Sequence, residues 1–250
     1  MSETPLVYLI LGASGSGRRE IVVDLIEGGM PEGSRALSLL AEGETPDPAD
    51  AKLAAVSTVA TWRWTEGKEI DAEVAAGADK IFFFAHGRQN PVDQIEAFKL
   101  WREESQPGEL ARILTVVNCQ LAELHPPLLA WYDACVHFSD VLLLNRREGV
   151  ANKWISDFQA RYKDQFFPCV VELVRGGKVR NPVLILEPLP LRVSHAFENE
   201  ADWVAIDGSD AEGGDESEDE VELEQAEDPY FARFDSGRRL KEIPRIDKFI

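Results

Sequence analysis

Along most of the chain the apolar residues fall in short unbroken runs, at residues 7–11, 35–40, 80–85, 113–118, 141–145, 170–174 and 183–186. Runs of this length without polar alternation predict strands buried on both faces. Between them the apolar positions change to helical spacing. Glu20 leads into Val22, Val23, Leu25 and Ile26; residues 91–102 carry Val92, Ile95, Phe98 and Trp101 at every third position; 128–137 forms another helical stretch; and 150–162 sets Trp154, Ile155 and Phe158 on one face. Strands alternating with helices predict an α/β fold with a mostly parallel sheet and helices on both faces. Residues 42–50, with Pro46 and Pro48, predict a loop, and 56–64 an extra strand or strand pair. There is no internal repeat.

From Asp207 this patterning stops. Residues 207–228 hold twelve acids and no Lys or Arg, and segments this polar cannot bury enough surface to offset chain entropy, so a disordered acidic linker is expected. Its plain reading is a solvated spacer; the functional alternatives are divalent-cation capture, mimicry of nucleic acid towards a basic partner, or occlusion of a basic site in the same molecule. Residues 229–250 regain Tyr230, Phe231, Phe234, Leu240, Ile243, Ile246, Phe249 and Ile250, either to dock back on the body or to contact a protein partner. The expected organisation is a domain over 1–206, the linker over 207–228 and a short motif over 229–250.

Charge and composition narrow the function. The net charge is −19, with no clustered basic stripe, which argues against nucleic acid as a partner. No apolar run approaches the roughly 20 residues a bilayer requires, and no basic region precedes the first apolar run, so a soluble cytoplasmic protein is expected. Cys119, Cys135 and Cys169 are odd in number and set in apolar sequence, as for buried free thiols.

The chemistry begins where Leu6-Val7-Tyr8-Leu9-Ile10-Leu11 runs into Gly12-Ala13-Ser14-Gly15-Ser16-Gly17-Arg18-Arg19. A phosphate-binding loop asks for Gly, four residues, Gly, Lys and a hydroxyl residue: the backbone N–H groups wrap the phosphates, Lys reaches the terminal ones and the hydroxyl binds Mg²⁺. Gly12 and Gly17 keep that spacing, with Ser14, Gly15 and Ser16 between them. Arg18 stands at the Lys position and can meet a phosphate oxygen. Arg19 stands at the hydroxyl position and, having donors only, cannot coordinate a metal. A nucleotide or phosphate ligand is therefore expected, with Mg²⁺ in doubt.

Two later segments extend the motif. Lys80-Ile81-Phe82-Phe83-Phe84 enters Ala85-His86-Gly87-Arg88-Gln89-Asn90-Pro91, and His137-Phe138-Ser139-Asp140 leads through an apolar run to Asn145-Arg146-Arg147-Glu148. In order and spacing, residues 5–174 resemble the CobW-type P-loop GTPases, a family of metallochaperones and metal-insertase partners. The resemblance implies a second switch loop at His86 and Gly87, a guanine-reading motif at Asn145, Arg146 and Glu148, and GTP or another nucleotide as ligand. The Gly87 N–H would meet a terminal phosphate, while His86 reads as a loop histidine rather than a catalytic base. The departures fall at chemical positions. Phe84 replaces the family's acid, Arg146 replaces Lys, and Glu148 replaces Asp, its extra methylene moving the carboxylate by about 1.5 Å. Thr61-Trp62-Arg63-Trp64 stands where the family has Cys-x-Cys-Cys, so no structural metal is expected. These changes predict a degenerate nucleotide-binding protein with impaired hydrolysis, acting through interactions. The alternatives are an active nucleotide kinase or GTPase using Arg18 and Arg19, or an NAD(P)-binding domain with Glu42 as its ribose acid.

Overall fold

A computed structural model describes residues 4–64, 69–74, 76–198 and 227–250. In chain order its elements are β1 (Leu6–Gly12), α1 (Arg18–Gly29), β2 (Ala36–Ala41), α2 (Asp50–Val56), β3 (Thr58–Trp64), β4 (Ile70–Ala72), β5 (Lys80–Phe84), α3 (Pro91–Ser105), β6 (Glu109–Asn118), α4 (Cys119–Leu124), α5 (Leu129–His137), β7 (Val141–Asn145), α6 (Asn152–Lys163), β8 (Val170–Leu173) and α7 (Pro182–Ile185). The strands form one sheet in the order β4-β3-β2-β5-β1-β6-β7-β8, parallel throughout except for the β3–β4 pair.

The two-residue period of the strands distributes the core between the faces. Tyr8, Ile10, Phe82, Phe84, Leu114, Val116, Val141 and Leu143 pack in one cluster with Ile21, Val22, Leu25 and Ile26 of α1. On the other face Phe83 meets Trp62, Phe98 and Trp101 with ring centroids 4.9, 5.0 and 5.2 Å apart. This is the mostly parallel α/β arrangement, with helices on both faces, that the patterning predicts. Strands covered on both sides have no solvent face, and their sequences therefore do not alternate.

Local chemistry overturns one expectation and adds detail to the rest. Residues 183–186 form no strand: Pro182 opens the short helix α7 and the Asn181 side chain accepts from the Leu184 N–H at 3.2 Å, an N-cap that fixes a helical turn. Helix α4 follows β6 directly because Asn118 caps the Leu121 N–H at 3.1 Å. The stretch 56–64 divides into the end of α2 and strand β3, whose partner is β4.

Strand β1 lies at the centre of the sheet, and the chain crosses it in both directions. From β1 it passes through α1 to β2 on one side; from β5, beside β1, it passes through α3 to β6 on the other. Such a switch point opens a crevice at the carboxyl ends of the strands, where Gly12, Ala85 and Asn118 emerge.

Residues Met1–Val193 and Glu242–Ile250 make up the unit just described, and Ser194–Lys241 a second one. Within the second, the Ser194 hydroxyl donates to Asp228, and the Lys241 ammonium lies 4.1 Å from the Tyr230 ring centroid. The expected acidic linker lies, up to residue 226, outside the described residues. Among the described residues no helix is long and apolar enough to cross a membrane.

Candidate phosphate-binding site

The loop after β1 is held open from below. Gly17 has φ 88°, and a Cβ there would stand 2.5 Å from Asn145 Nδ2 and 3.2 Å from Arg146 Nη2, so the position accepts only glycine. Asn145, 3% exposed, donates through Nδ2 to the Ser16 carbonyl at 2.8 Å. Arg146 pairs with Glu20 at 3.3 Å. Helix α1 starts at Arg18 with no side-chain cap, so its first-turn N–H groups face the crevice as an anion-binding end. The hydroxyls of Ser14 and Ser16 are buried and find no hydrogen-bond partner among the described residues. Together these donors fit a phosphate group.

Both arginines turn inward, and one carboxylate joins them. Arg18 donates through Nη1 to the Ala85 carbonyl and through Nη2 to Glu44 Oε1 at 2.7 Å. Arg19 donates through Nη2 to Glu44 Oε2 at 3.0 Å and through Nη1 to Asp50 Oδ1 at 2.5 Å. The Gly87 N–H also donates to Glu44 Oε1, at 2.5 Å. The Glu44 side chain is 5% exposed. Burial alone would raise its pKa; Arg18, the Gly87 N–H and Arg19 outweigh burial and hold it below the ordinary glutamate value. Arg19 therefore offers Mg²⁺ no ligand atom and is fully engaged with carboxylates, so a metal held as in the phosphate-loop pattern does not fit here.

The segment after β5 closes against the loop. The Ser14 N–H donates to the Gly87 carbonyl at 3.0 Å, and a Cβ on Gly87 would stand 2.4 Å from Ser14 N and 2.6 Å from Arg18 Nη2. Gln94, 2% exposed, clamps the turn: its amide receives the His86 N–H and returns a bond to the His86 carbonyl at 3.1 Å. His86 Nδ1 accepts the Arg88 N–H at 3.1 Å, leaving the ring proton on Nε2. Burial foremost, with Arg18 and Arg88 against the opposing pull of Glu44, lowers the His86 pKa and keeps the ring neutral at pH 7.

The sequence-marked residues thus divide. Gly12, Ser14, Gly15, Ser16, Gly17, Arg18, Arg19, Gly87, Asn145 and Arg146 converge, whereas Glu148 is exposed and uses its backbone carbonyl to accept from Gln120 at 2.6 Å. The Phe84 side chain is fully buried, and its carbonyl accepts from Trp62 Nε1 at 2.9 Å. Sequence patterning missed Glu44, Asp50 and Gln94. The signal for the first two was indirect: adjacent arginines pointing into a fold need carboxylate partners, and the 42–50 loop after the next strand holds Glu42, Glu44, Asp47 and Asp50. A cleft of about 310 Å³ opens beside these groups, lined by Ser14, Gly15, Thr45, Arg88 and Arg146 among others.

Near the cleft, residues 242–250 lie along the same segment. Ile246 is 1% exposed, Arg88 Nη1 donates to the Ile250 carbonyl at 3.3 Å, and the Phe249 ring meets His125 at 5.2 Å. Among the described residues no group of three or more His, Cys, Asp or Glu side chains is placed to hold a metal. The three cysteines are free thiols; burial pushes Cys119 up to about 12 and Cys169 to about 11.

No protein-family model and no curated protein matches the chain. Among solved structures it is similar to a Zn(II)-bound triple mutant of the YjiA GTPase, at 14% identity over 76% of this chain and 67% of that one, TM-score 0.45. It is also similar to hydrogenase maturation factor HypB from Archaeoglobus fulgidus, at 15% identity over 68% of this chain and 81% of that one, TM-score 0.43. A third is the signal recognition particle receptor FtsY from Elizabethkingia anophelis in complex with GDP, at 15% identity over 80% and 66%, TM-score 0.49. Similarity at this level transfers no residue's role to this chain.

Proposed function

We propose that this chain is a CobW-like P-loop protein that binds the phosphate end of a nucleotide, GTP by its motif order, hydrolyses it poorly or not at all, and acts through interactions in regulation or metal homeostasis. The observation that carries this reading is a phosphate loop kept in its framework while Arg19, at the metal-hydroxyl position, spends its guanidinium on Glu44 and Asp50. Phosphoryl transfer draws most of its transition-state stabilisation from Mg²⁺ and phosphate clamps, and this substitution removes one of them. Phosphate binding keeps its support in the uncapped start of α1 and the unpartnered Ser14 and Ser16 hydroxyls. Asn145 and Arg146 serve this site by holding the loop. The protein-partner surface falls to the C-terminal aromatic residues, of which Phe234 is 52% exposed.

Strand order favours this reading over an NAD(P) domain. A dinucleotide fold sets its second strand beside its first, whereas here β5 stands between β1 and β2. Glu42 is thereby moved one strand spacing, about 4.8 Å, further from the loop.

Calorimetric titration with GTP, GDP, ATP and NADP, with and without Mg²⁺, tests the proposal. Guanine nucleotides are expected to bind with an affinity that Mg²⁺ does not raise, and phosphate release should stay near the uncatalysed rate. Absence of binding by every nucleotide, or binding that requires Mg²⁺, would overturn it.

A further inference from the structure

Resting on that phosphate-binding reading, we infer that the Glu44 carboxylate is a built-in surrogate for the ligand's anionic group, and that the site takes a metal-free di- or triphosphate by exchanging Glu44 for a phosphoryl group. Three donors from separate parts of the fold converge on this one carboxylate: Arg18 Nη2 at 2.7 Å, Arg19 Nη2 at 3.0 Å and the Gly87 N–H at 2.5 Å. Two guanidinium groups and a backbone N–H around one anion are the donor set of a phosphoryl seat. Glu44 Oε1 shares two of these donors, so carboxylate and phosphoryl oxygen cannot occupy the seat together.

The segment that carries Glu44 is built to move at modest cost. It is tied at one end by the Glu42 N–H to the Trp62 carbonyl at 2.8 Å and by the Glu44 N–H to the Ala41 carbonyl at a long 3.4 Å, and at the other by the Asp47–Asp50 turn, where the Asp47 N–H meets Asp50 Oδ2 at 2.9 Å. Between these ties Gly43, Thr45 and Pro46 are exposed, and Gly43 has φ 78°. Swinging residues 43–46 outward unburies little besides the Glu44 side chain. The ligand class follows from what lies next to the seat. Arg88 and Arg146 also line the cleft of about 310 Å³, which provides cationic groups for a second and third phosphate. Arg19 meanwhile supplies the charge that Mg²⁺ would otherwise bring.

A plug of this kind lowers apparent affinity by the fraction of molecules in which it is open. Removing its charge should therefore tighten binding. In EDTA-treated protein titrated with pyrophosphate, Glu44→Gln is expected to bind at least about tenfold more tightly than wild type, and Arg19→Ala introduced into that variant should abolish the gain. Equal affinity in wild type and Glu44→Gln overturns the plug while leaving phosphate binding intact. Parallel titrations with GTP and ATP separate a seat that reads only phosphate from one that also holds the base. Binding of none of the three ligands by either protein overturns the phosphate-binding reading and this inference with it. Hydrogen exchange on unmodified protein gives a readout independent of how well the variant folds: saturating pyrophosphate should protect residues 13–19 and speed exchange at 43–45, above all at the Glu44 N–H. Protection of both segments, or of neither, would sink the exchange mechanism.

Discussion

Asn145 shows how one residue carries two readings. In the sequence it opens a base-reading motif; in the fold its amide holds the Ser16 carbonyl at 2.8 Å, in buried surroundings and from beneath the phosphate loop. Truncation to Ala leaves that carbonyl without a donor, and Asn145→Ala is expected to cost about 1–3 kcal/mol in urea unfolding of ligand-free protein. An unchanged midpoint would mean the bond contributes nothing without nucleotide. Gly87 carries a steric prediction: with Ser14 N 2.4 Å from the position of a new Cβ, Gly87→Ala should destabilise by about 1–3 kcal/mol and separate the two loops, which amide chemical shifts of Ser14 and Gly87 would report. Glu44 gives a pH signature. Its folded pKa lies below the ordinary glutamate value of 4.5, so its contribution to stability is present above that value and lost as pH falls through the lowered one. The stability advantage of wild type over Glu44→Gln, about 1–3 kcal/mol near neutrality, should shrink steadily on acidification below 4.5. An advantage that grows towards acid would contradict the ion-pair assignment. None of these three roles is spelled in local sequence, because each depends on a partner some 25 to 130 positions away.

Among the elements, those whose signal is local were legible and those fixed by a distant contact were not. Strands β1, β2, β5, β6 and β7, the edge strand β8 and the helices α1, α3, α5 and α6 follow from apolar runs and helical spacing, since a strand buried on both faces or a helix with one apolar face must have that pattern. Helix α7 reads as a strand because Val183, Leu184, Ile185 and Leu186 are apolar and β-branched in part; its cap, Asn181, and Pro182 stand just before that run, but its clamp lies some 70 positions away. The clamp is Arg112 of β6, 1% exposed, whose Nη1 donates to the Leu184 and Ile185 carbonyls at 2.9 and 3.3 Å and whose Nε donates to Leu189 at 3.0 Å. A guanidinium at the carboxyl end of a helix satisfies carbonyls that have no partner within it. Tyr8 of β1 adds its hydroxyl to the Leu186 carbonyl at 2.6 Å. Arg112→Met, which keeps the apolar stem and removes every donor, should cost about 3 kcal/mol and raise hydrogen exchange first at residues 182–191. Uniform loss of protection across the sheet would show that the strap is part of the global folding unit rather than a separately clamped one.

Taken whole, the molecule sets the proposed anion site on an acidic body. The net charge is −19, and twelve acids fall within residues 207–228. In the closed site three of the four arginines lining the cleft are already answered by carboxylates, Arg18 and Arg19 by Glu44 and Asp50 and Arg146 by Glu20, while Arg88 donates to the Ile250 carbonyl. A polyphosphate approaching from solution therefore meets a field of its own sign, offset locally by Arg88 but not by Arg18 or Arg19 until Glu44 has left. Repulsion of this kind is screened over roughly 8–10 Å at physiological salt and reaches further when salt is low. Association with a fluorescent guanosine triphosphate, followed by stopped flow, should accordingly speed up as NaCl is raised from low to physiological concentration, opposite to the behaviour of a site that steers its ligand with exposed cations. Deleting residues 207–226 should raise the low-salt rate and flatten this dependence while leaving the dissociation rate unchanged, because the contacts that retain the ligand lie in the Arg18 and Arg19 seat. A rate that falls with salt in the full chain would mean that the arginines are exposed and steering before the ligand arrives, and that Glu44 does not hold them in the resting protein.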